Sequence, residues 1–389
     1  MKQATPLPLL LVFAACGPSG PEADQGVTRL LSTLQGTALG VEQAGRSTSL
    51  EFPKDHASHP GFRTEWWYFT GNLTGSNRAP GDFGFQLTFF RNGLTPNPPK
   101  RSSELASSEA WMAHFALTDF AQRTTLHAER FARGAPGFAG PLSKEQPASL
   151  AVGNWQILGL SGLGPERRPT FRLIAEEPGF GLELLLTSTK ALVPQGDRGY
   201  SRKGSGEFQA SHYVSATRLA ATGTVRIGEQ HHPVEGSAWL DREWTSSLLG
   251  PEQVGWDWFA IQLEDGTDLM AYRMRLRNGD DDPTAHGSLT DPSGSSRTLA
   301  ATDYQLTDVA FWESPESRIT YPAGWTLTLP TEGLELTLEV PVSNCEIGDS
   351  YRYWEGPIQV HGTRSGLPVR GVGYAELVGY GGETTLSSP

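Results

Sequence analysis

Phe83-Gly84-Phe85-Gln86-Leu87-Thr88-Phe89 alternates large apolar side chains with small or polar ones, and Met270-Ala271-Tyr272-Arg273-Met274-Arg275-Leu276 repeats the rhythm. A period of two places alternate side chains on one face of an extended chain, so each stretch predicts a strand with a buried face. Glu264-Asp265-Gly266, Pro292-Ser293-Gly294, Thr331-Glu332-Gly333 and Arg364-Ser365-Gly366 supply the turn chemistry that hairpins need. Helical spacing is confined to Val27, Leu30, Leu31 and Leu34, so the expectation is an antiparallel all-β protein.

Composition agrees. Gly (45) and Pro (28) are frequent among the 389 residues, which disfavours a helical bundle. The 11 Trp, 10 Tyr and 17 Phe are enough for a large core, and the length suits two domains. A net charge of −12 repels a phosphate backbone, so nucleic acid is not an expected partner.

An internal duplication supports the division. Gly223-Thr224-Val225-Arg226-Ile227 leads to Pro233-Val234-Glu235-Gly236-Ser237-Ala238-Trp239, and Gly356-Pro357-Ile358-Gln359-Val360 leads to Pro368-Val369-Arg370-Gly371-Val372-Gly373-Tyr374. Trp67-Tyr68-Phe69 and Trp258-Phe259 open strands that rhyme as well, and each copy has an apolar strand ending at an arginine, Arg91 or Arg275. Two copies of a closed β unit are expected, over 51–245 and 250–389; chance likeness between Gly-rich hairpins is the alternative. A closed eight-strand-like barrel has room for one apolar ligand.

The N-terminus carries Lys2, an apolar run from Leu7 to Ala15, then Cys16. This is the layout of an export signal, and the run is too short to span a bilayer. Phe13-Ala14-Ala15-Cys16 resembles a bacterial lipobox, which implies lipidation of Cys16 and attachment to a membrane; an ordinary signal peptide is the alternative, and it too exports the chain. Residues 1–16 are thus read as the signal and 17–50 as a tether, in an exported, cell-envelope or secreted protein. A lipidated Cys16 leaves Cys345 without a disulfide partner, so Cys345 is expected in the core.

Two segments concentrate chemistry. In His56-Ala57-Ser58-His59-Pro60-Gly61-Phe62-Arg63-Thr64-Glu65-Trp66-Trp67-Tyr68, Trp66 and Tyr68 share one strand face while Glu65 and Trp67 take the other. Burial beside Trp67 would raise the Glu65 pKa unless an arginine pairs it; the alternative is that the tryptophans plug a barrel end. In Trp239-Leu240-Asp241-Arg242-Glu243-Trp244, Asp241 and Glu243 point one way and Leu240, Arg242 and Trp244 the other, which suits a domain junction or a structural ion-pair network. His114 lies in an apolar strand and is a candidate for a buried polar role, whereas His231-His232 reads as an exposed turn. No metal-binding spacing, nucleophile elbow or phosphate-cradling loop is present; Gly204-Ser205-Gly206 is too short for an elbow.

His59 to Leu73, Trp239 to Trp244, Gly255-Trp256-Asp257-Trp258-Phe259 and Tyr353-Trp354-Glu355-Gly356 together resemble the AttH/carotenoid 1,2-hydratase family over roughly residues 50–385. The resemblance implies two tandem lipocalin-like (calycin-type) barrels packed against each other. Family members include carotenoid hydratases, a fungal phytoalexin hydratase, fungal cyclases of Diels–Alder type and predicted secreted hydrolases. Carotenoid hydratases carry His-Asp-His-Asn-Trp at the positions of Leu240 to Trp244 and a Tyr-x-Asp at Tyr272-Arg273-Met274. Asp241, Trp244 and Tyr272 match; both histidines and the second aspartate do not, so the fold carries over and the reaction does not follow from it.

The resulting expectation is an exported protein that holds an apolar small molecule in a barrel or an inter-barrel cleft and acts on it by acid/base chemistry without a cofactor or metal. Glu65, His114, Asp241, Arg242 and Tyr272 are the catalytic candidates, and Trp66, Trp67, Tyr68, Trp244, Trp256 and Trp258 the ligand-binding ones. A non-catalytic lipid carrier or envelope attachment protein is the rival reading, and a secreted hydrolase a third.

Overall fold

The computed structural model describes residues 41–75, 82–95, 103, 106–160, 168–206, 208–247, 249–348 and 350–381. The expected signal, Cys16 and most of the tether lie outside them. The first sheet opens with β1 (Thr64–Gly75), β2 (Phe83–Gly93), β3 (Glu109–Asp119), β4 (Thr124–Arg133), β5 (Ala139–Pro141), β6 (Leu150–Val152) and β7 (Trp155–Gly159). It continues through β8 (Thr170–Glu177), β9 (Phe180–Ser188), β10 (Val193–Pro194), β11 (Tyr200–Arg202), β12 (Ala210–Ile227) and β13 (Gln230–Thr245). The second contains β14 (Gln253–Leu263), β15 (Asp268–Leu276), β16 (His286–Thr290), β17 (Ser296–Ala300) and β18 (Gln305–Glu313). Its remaining strands are β19 (Thr320–Leu329), β20 (Leu334–Glu339), β21 (Glu346–Ile347), β22 (Tyr353–Arg364) and β23 (Leu367–Val378).

Both sheets are barrel-like and wholly antiparallel, and no α-helix occurs among the described residues. The first runs β4-β3-β2-β1-β13-β12-β9-β8-β7-β6-β5 and the second β17-β16-β15-β14-β23-β22-β20-β19-β18, so in each the opening strand pairs with the closing one. The expected closure is by packing rather than a continuous ladder: β4 lies against β6, but β4 and β5 remain the ends of the hydrogen-bonded path.

The duplication is real, with one correction of register. Gly223 pairs with Val234, and the residue that pairs with the matching Val369 is Gly362, not Gly356. The turns are equally long, closed by the pairs Ile227–Gln230 and Arg364–Leu367; the second hairpin has shorter limbs.

The sheet interiors are full. Trp67, Phe69, Phe85, Leu87, Phe115 and Trp155 fill the first, and Phe259, Trp325, Leu336 and Leu377 the second. Residues 41–50, the end of the expected tether, instead run against the first sheet, where Ala44 packs with Phe62, Ala210 and Trp244. Cys345 is fully buried, as expected, and unpaired.

The outer faces of β1, β12 and β13 pack on those of β14, β22 and β23. This accounts for β1 being buried on both faces rather than alternating. A bulge between Ala216 and Leu219 turns Thr217 and Arg218 toward the second sheet, where both bond the fully buried Asp268 (2.8 and 2.6 Å). Lys190 joins the same carboxylate at 2.8 Å. A buried acid with two cations and a hydroxyl ties the sheets together at this end.

Candidate functional site

A cleft of about 190 Å³ opens between the two sheets. For scale, a protein cavity of roughly 150 Å³ accommodates benzene. Its walls are mostly aromatic: Trp66, Tyr68, Phe90 and Tyr213 from the first sheet face Trp256, Trp258, Tyr272 and Tyr353 from the second. Four carboxyls (Asp241, Glu243, Glu355, Glu376) and a single ammonium, Lys203, also line it.

The two halves are related residue by residue. Asp241 lies opposite Tyr68 and Ser215 on the neighbouring strands, and Glu376 opposite Trp258 and Glu355. Tyr213 faces Glu243 across its ladder as Tyr353 faces Val378. The matching Tyr68 and Trp258 rings meet edge to face at 5.2 Å between centroids. The repeat therefore builds the cleft, and Ser215 against Glu355 and Glu243 against Val378 break its symmetry.

The carboxyls differ in how they are held. Asp241 accepts hydrogen bonds from Ser215 Oγ (2.6 Å), Trp239 Nε1 (2.6 Å) and Tyr213 Oη (2.5 Å). Burial outweighs these donors and pushes its pKa up to about 7, with the Glu243 charge adding to the rise. Glu376 accepts a bond from Trp256 Nε1 (2.8 Å), and burial, then the charges of Asp241 and Glu243, raise it to about 7. Glu355 is fully buried and has no cation; burial and the Glu376 charge raise it well above the usual range, against the opposing pull of the Tyr68 and Tyr353 hydroxyls. Glu243 alone has a cation, Lys203 Nζ at 2.9 Å, and that ammonium sits over the rings of Tyr213 (4.7 Å) and Tyr272 (5.0 Å).

Of the candidates from sequence, Asp241, Tyr272, Trp66, Tyr68, Trp256 and Trp258 line the cleft. Tyr272 Oη donates to Arg202 O (3.0 Å) and lies 3.1 Å from His286 Nδ1. His114 stands behind the wall, bridging Tyr353 Oη (2.7 Å) and Glu129 (3.0 Å). Glu65, Arg242, Trp67 and Trp244 belong elsewhere, because strand alternation turns them to the opposite face. There Glu65 pairs with both Arg91 and Arg242, and His59 N donates to it at 2.8 Å. Burial would raise Glu65, but Arg242, His59 and Arg91 overcome it and hold the carboxyl at about 2, ionised and paired at neutral pH. The Arg242 guanidinium lies 3.9 Å from the Trp67 ring, and Trp244 stacks on His59 at 4.0 Å. These tryptophans plug and brace the barrel end.

Sequence reasoning missed Glu376, Glu355, Tyr213 and Lys203. A signal existed for Glu376: it follows Gly371 by five residues, as Asp241 follows Gly236. A larger open hollow, about 630 Å³, lies beside Phe131 and Arg133, but its one acid, Glu109, is bonded to Arg91 (3.2 Å). No group of three His, Cys, Asp or Glu side chains among the described residues converges to hold a metal ion.

The AttH-like family model matches residues 43–380. A crystal structure of a protein assigned as AttH from Nitrosomonas europaea is 32% identical, covers 87% of this chain and 100% of its own, and superposes with a TM-score of 0.74. Kievitone hydratase from Nectria haematococca shares the fold at 15% identity (TM-score 0.63; 89% of this chain, 97% of that one). CghA shares it at 12% (TM-score 0.52; 91% and 98%). No curated protein matches at a significant level.

Proposed function

The chain belongs to the AttH-like family, and from that premise we propose that it binds an apolar, unsaturated small molecule in the inter-sheet cleft and transfers a proton to it without a cofactor. Glu376 carries the reading: a buried carboxyl on an aromatic cleft, poised at about 7, suits general acid/base work at neutral pH. Protonation of a carbon–carbon double bond by Glu376 would leave a cation facing Trp256, Trp258 and Tyr68, whose ring faces stabilise positive charge. Water then adds its oxygen to that carbon and returns a proton to the Glu376 carboxylate, so the net change is addition of one water. Internal capture of the cation in place of water gives isomerisation or ring closure. The hydratase of the same fold from Nectria makes water addition the first reaction to test.

Export and anchoring through Cys16 belong to the same proposal, supported by Lys2, the Leu7–Ala15 run and Phe13-Ala14-Ala15-Cys16. Labelling with a fatty-acid analogue, lost in Cys16→Ser, tests the anchor. The functional test is native mass spectrometry of protein taken from its own membranes, followed by incubation of the released molecule with fresh protein in H₂¹⁸O. Incorporation of ¹⁸O that disappears in Glu376→Gln supports hydration. A retained ligand that is never converted favours the carrier, and failure to find any apolar ligand removes both readings.

A further inference from the structure

Glu355 is the most exceptional group in the cleft. It is fully buried, lines the cavity, and is met by the neutral hydroxyls of Tyr68 and Tyr353 with no cation beside it among the described residues. A buried carboxyl without a cation is costly to ionise, and a cationic ligand would offset that cost. Its surroundings say which kind. Tyr68, Tyr353 and Trp258 line the cleft around it, and Glu376 lies directly opposite it on the next strand. Acceptors and ring faces of this kind are the means by which proteins recognise ammonium groups.

The other half of the cleft shows that chemistry satisfied within the chain. Lys203 Nζ rests over Tyr213 and Tyr272 and pairs with Glu243 at 2.9 Å. The repeat places Tyr353 where Tyr213 stands, yet no other cationic side chain lines the cleft among the described residues. Three carboxyls, Asp241, Glu355 and Glu376, thus face the cavity without a cation.

We propose that the cleft selects a positively charged apolar molecule, an arylalkyl amine or quaternary ammonium, whose nitrogen lies between the Glu355 carboxyl and the rings of Tyr68 and Trp258. A metal ion is the poorer occupant, since no three ligating side chains converge. The inference rests on the cleft being the ligand site and goes beyond it by fixing the charge of the ligand.

Three probes of like shape test it: 4-phenylbutylamine, 4-phenylbutan-1-ol and 4-phenylbutyrate, titrated calorimetrically into the full chain at pH 7.5. The amine should bind about tenfold or more tighter than the alcohol, and the acid most weakly. Glu355→Gln should bring the amine to the affinity of the alcohol while the alcohol itself changes less than about twofold. If the alcohol binds as tightly as the amine to the wild-type chain, the charge inference falls and the cleft reading survives. If no probe binds, both fall. The wild-type series decides the question even should the variant fail to fold, and a Glu355→Gln chain that folds yet keeps its amine preference overturns the assignment.

Discussion

Asp241 and Glu376 occupy one position of the repeated unit, five residues after the glycine of Pro-Val-x-Gly, and both open onto the cleft between the sheets. Their charges reach each other, since Asp241 is among the groups that raise Glu376. A pair of this kind releases its protons in steps that belong to the pair. Carbon-13 NMR of the side-chain carboxyls should therefore show two coupled titrations around pH 7, and Glu376→Gln should leave one, shifted downward because its charged neighbour is gone. Two carboxyls titrating below pH 5 would remove the acid/base assignment.

The same pair sets a pH dependence. Each folded-state pKa, about 7, lies above the ordinary values of 3.8 and 4.5, so the folded chain binds more protons than the unfolded one between about pH 4 and 7. Their contribution is complete below pH 4 and is lost as pH rises through 7. His56, His212 and His286 act in the opposite sense. Burial first, aided by Arg242, His59 and Lys203 respectively, lowers them to about 3, 4 and 3, so they cost stability as pH falls below 6.5. A single melting curve mixes the two. The difference between Glu376→Gln and wild type cancels the histidines, and the variant should gain melting temperature relative to wild type from pH 5 to pH 8. A flat difference would mean that Glu376 is not raised.

Cys345 offers a test of packing. Its thiol donates to Val342 O (3.1 Å) and lies 3.1 Å from Thr125 Oγ1 of the first sheet, while burial pushes its pKa up to about 11. A thiol so held is protonated and shielded, and reactivity follows the thiolate. Labelling by a disulfide reagent at pH 8 should be slower than for a free thiol by orders of magnitude and should accelerate in urea in step with unfolding. Rapid labelling of Cys345 in a native Cys16→Ser chain would mean that the sheets separate.

Much of this was legible from alternation alone. Strand period two separated Trp66 and Tyr68 from Glu65 and Trp67, and Asp241 from Arg242, and the structure keeps both partitions. What alternation cannot supply is which face meets another sheet and which meets its own interior. Glu65 and Asp241 each looked like a carboxyl among aromatics, but Arg242 and Arg91 pair Glu65 and hold it near 2, whereas Asp241 is buried among neutral donors and burial carries it to near 7. Glu355 stayed hidden because its character comes from burial at the inter-sheet cleft without a cation, which only coordinates reveal.

Glu65 separates a structural acid from a catalytic one. Its carboxylate joins Arg91 and Arg242, both buried, and the guanidiniums also donate to His59 O (2.7 Å), Phe62 O (2.7 Å) and Ala57 O (2.7 Å), which fastens the segment before β1 over the barrel end. Glu65→Gln keeps the shape but leaves two buried cations facing each other, a change that costs about 3–5 kcal/mol in buried pairs. Urea denaturation at pH 7 should show a loss of that order. Because Glu65 is held at about 2, the loss should shrink below pH 4, where wild type itself begins to lose this contribution. The double variant Glu65→Leu with Arg242→Met should recover part of the loss, since an apolar replacement removes the stranded charge. Binding of 4-phenylbutan-1-ol in the cleft, on the far side of the same strands, should stay within about twofold of wild type at temperatures where the variant is folded. A stable Glu65→Gln chain that had lost turnover would return Glu65 to the role of the acid and displace Glu376.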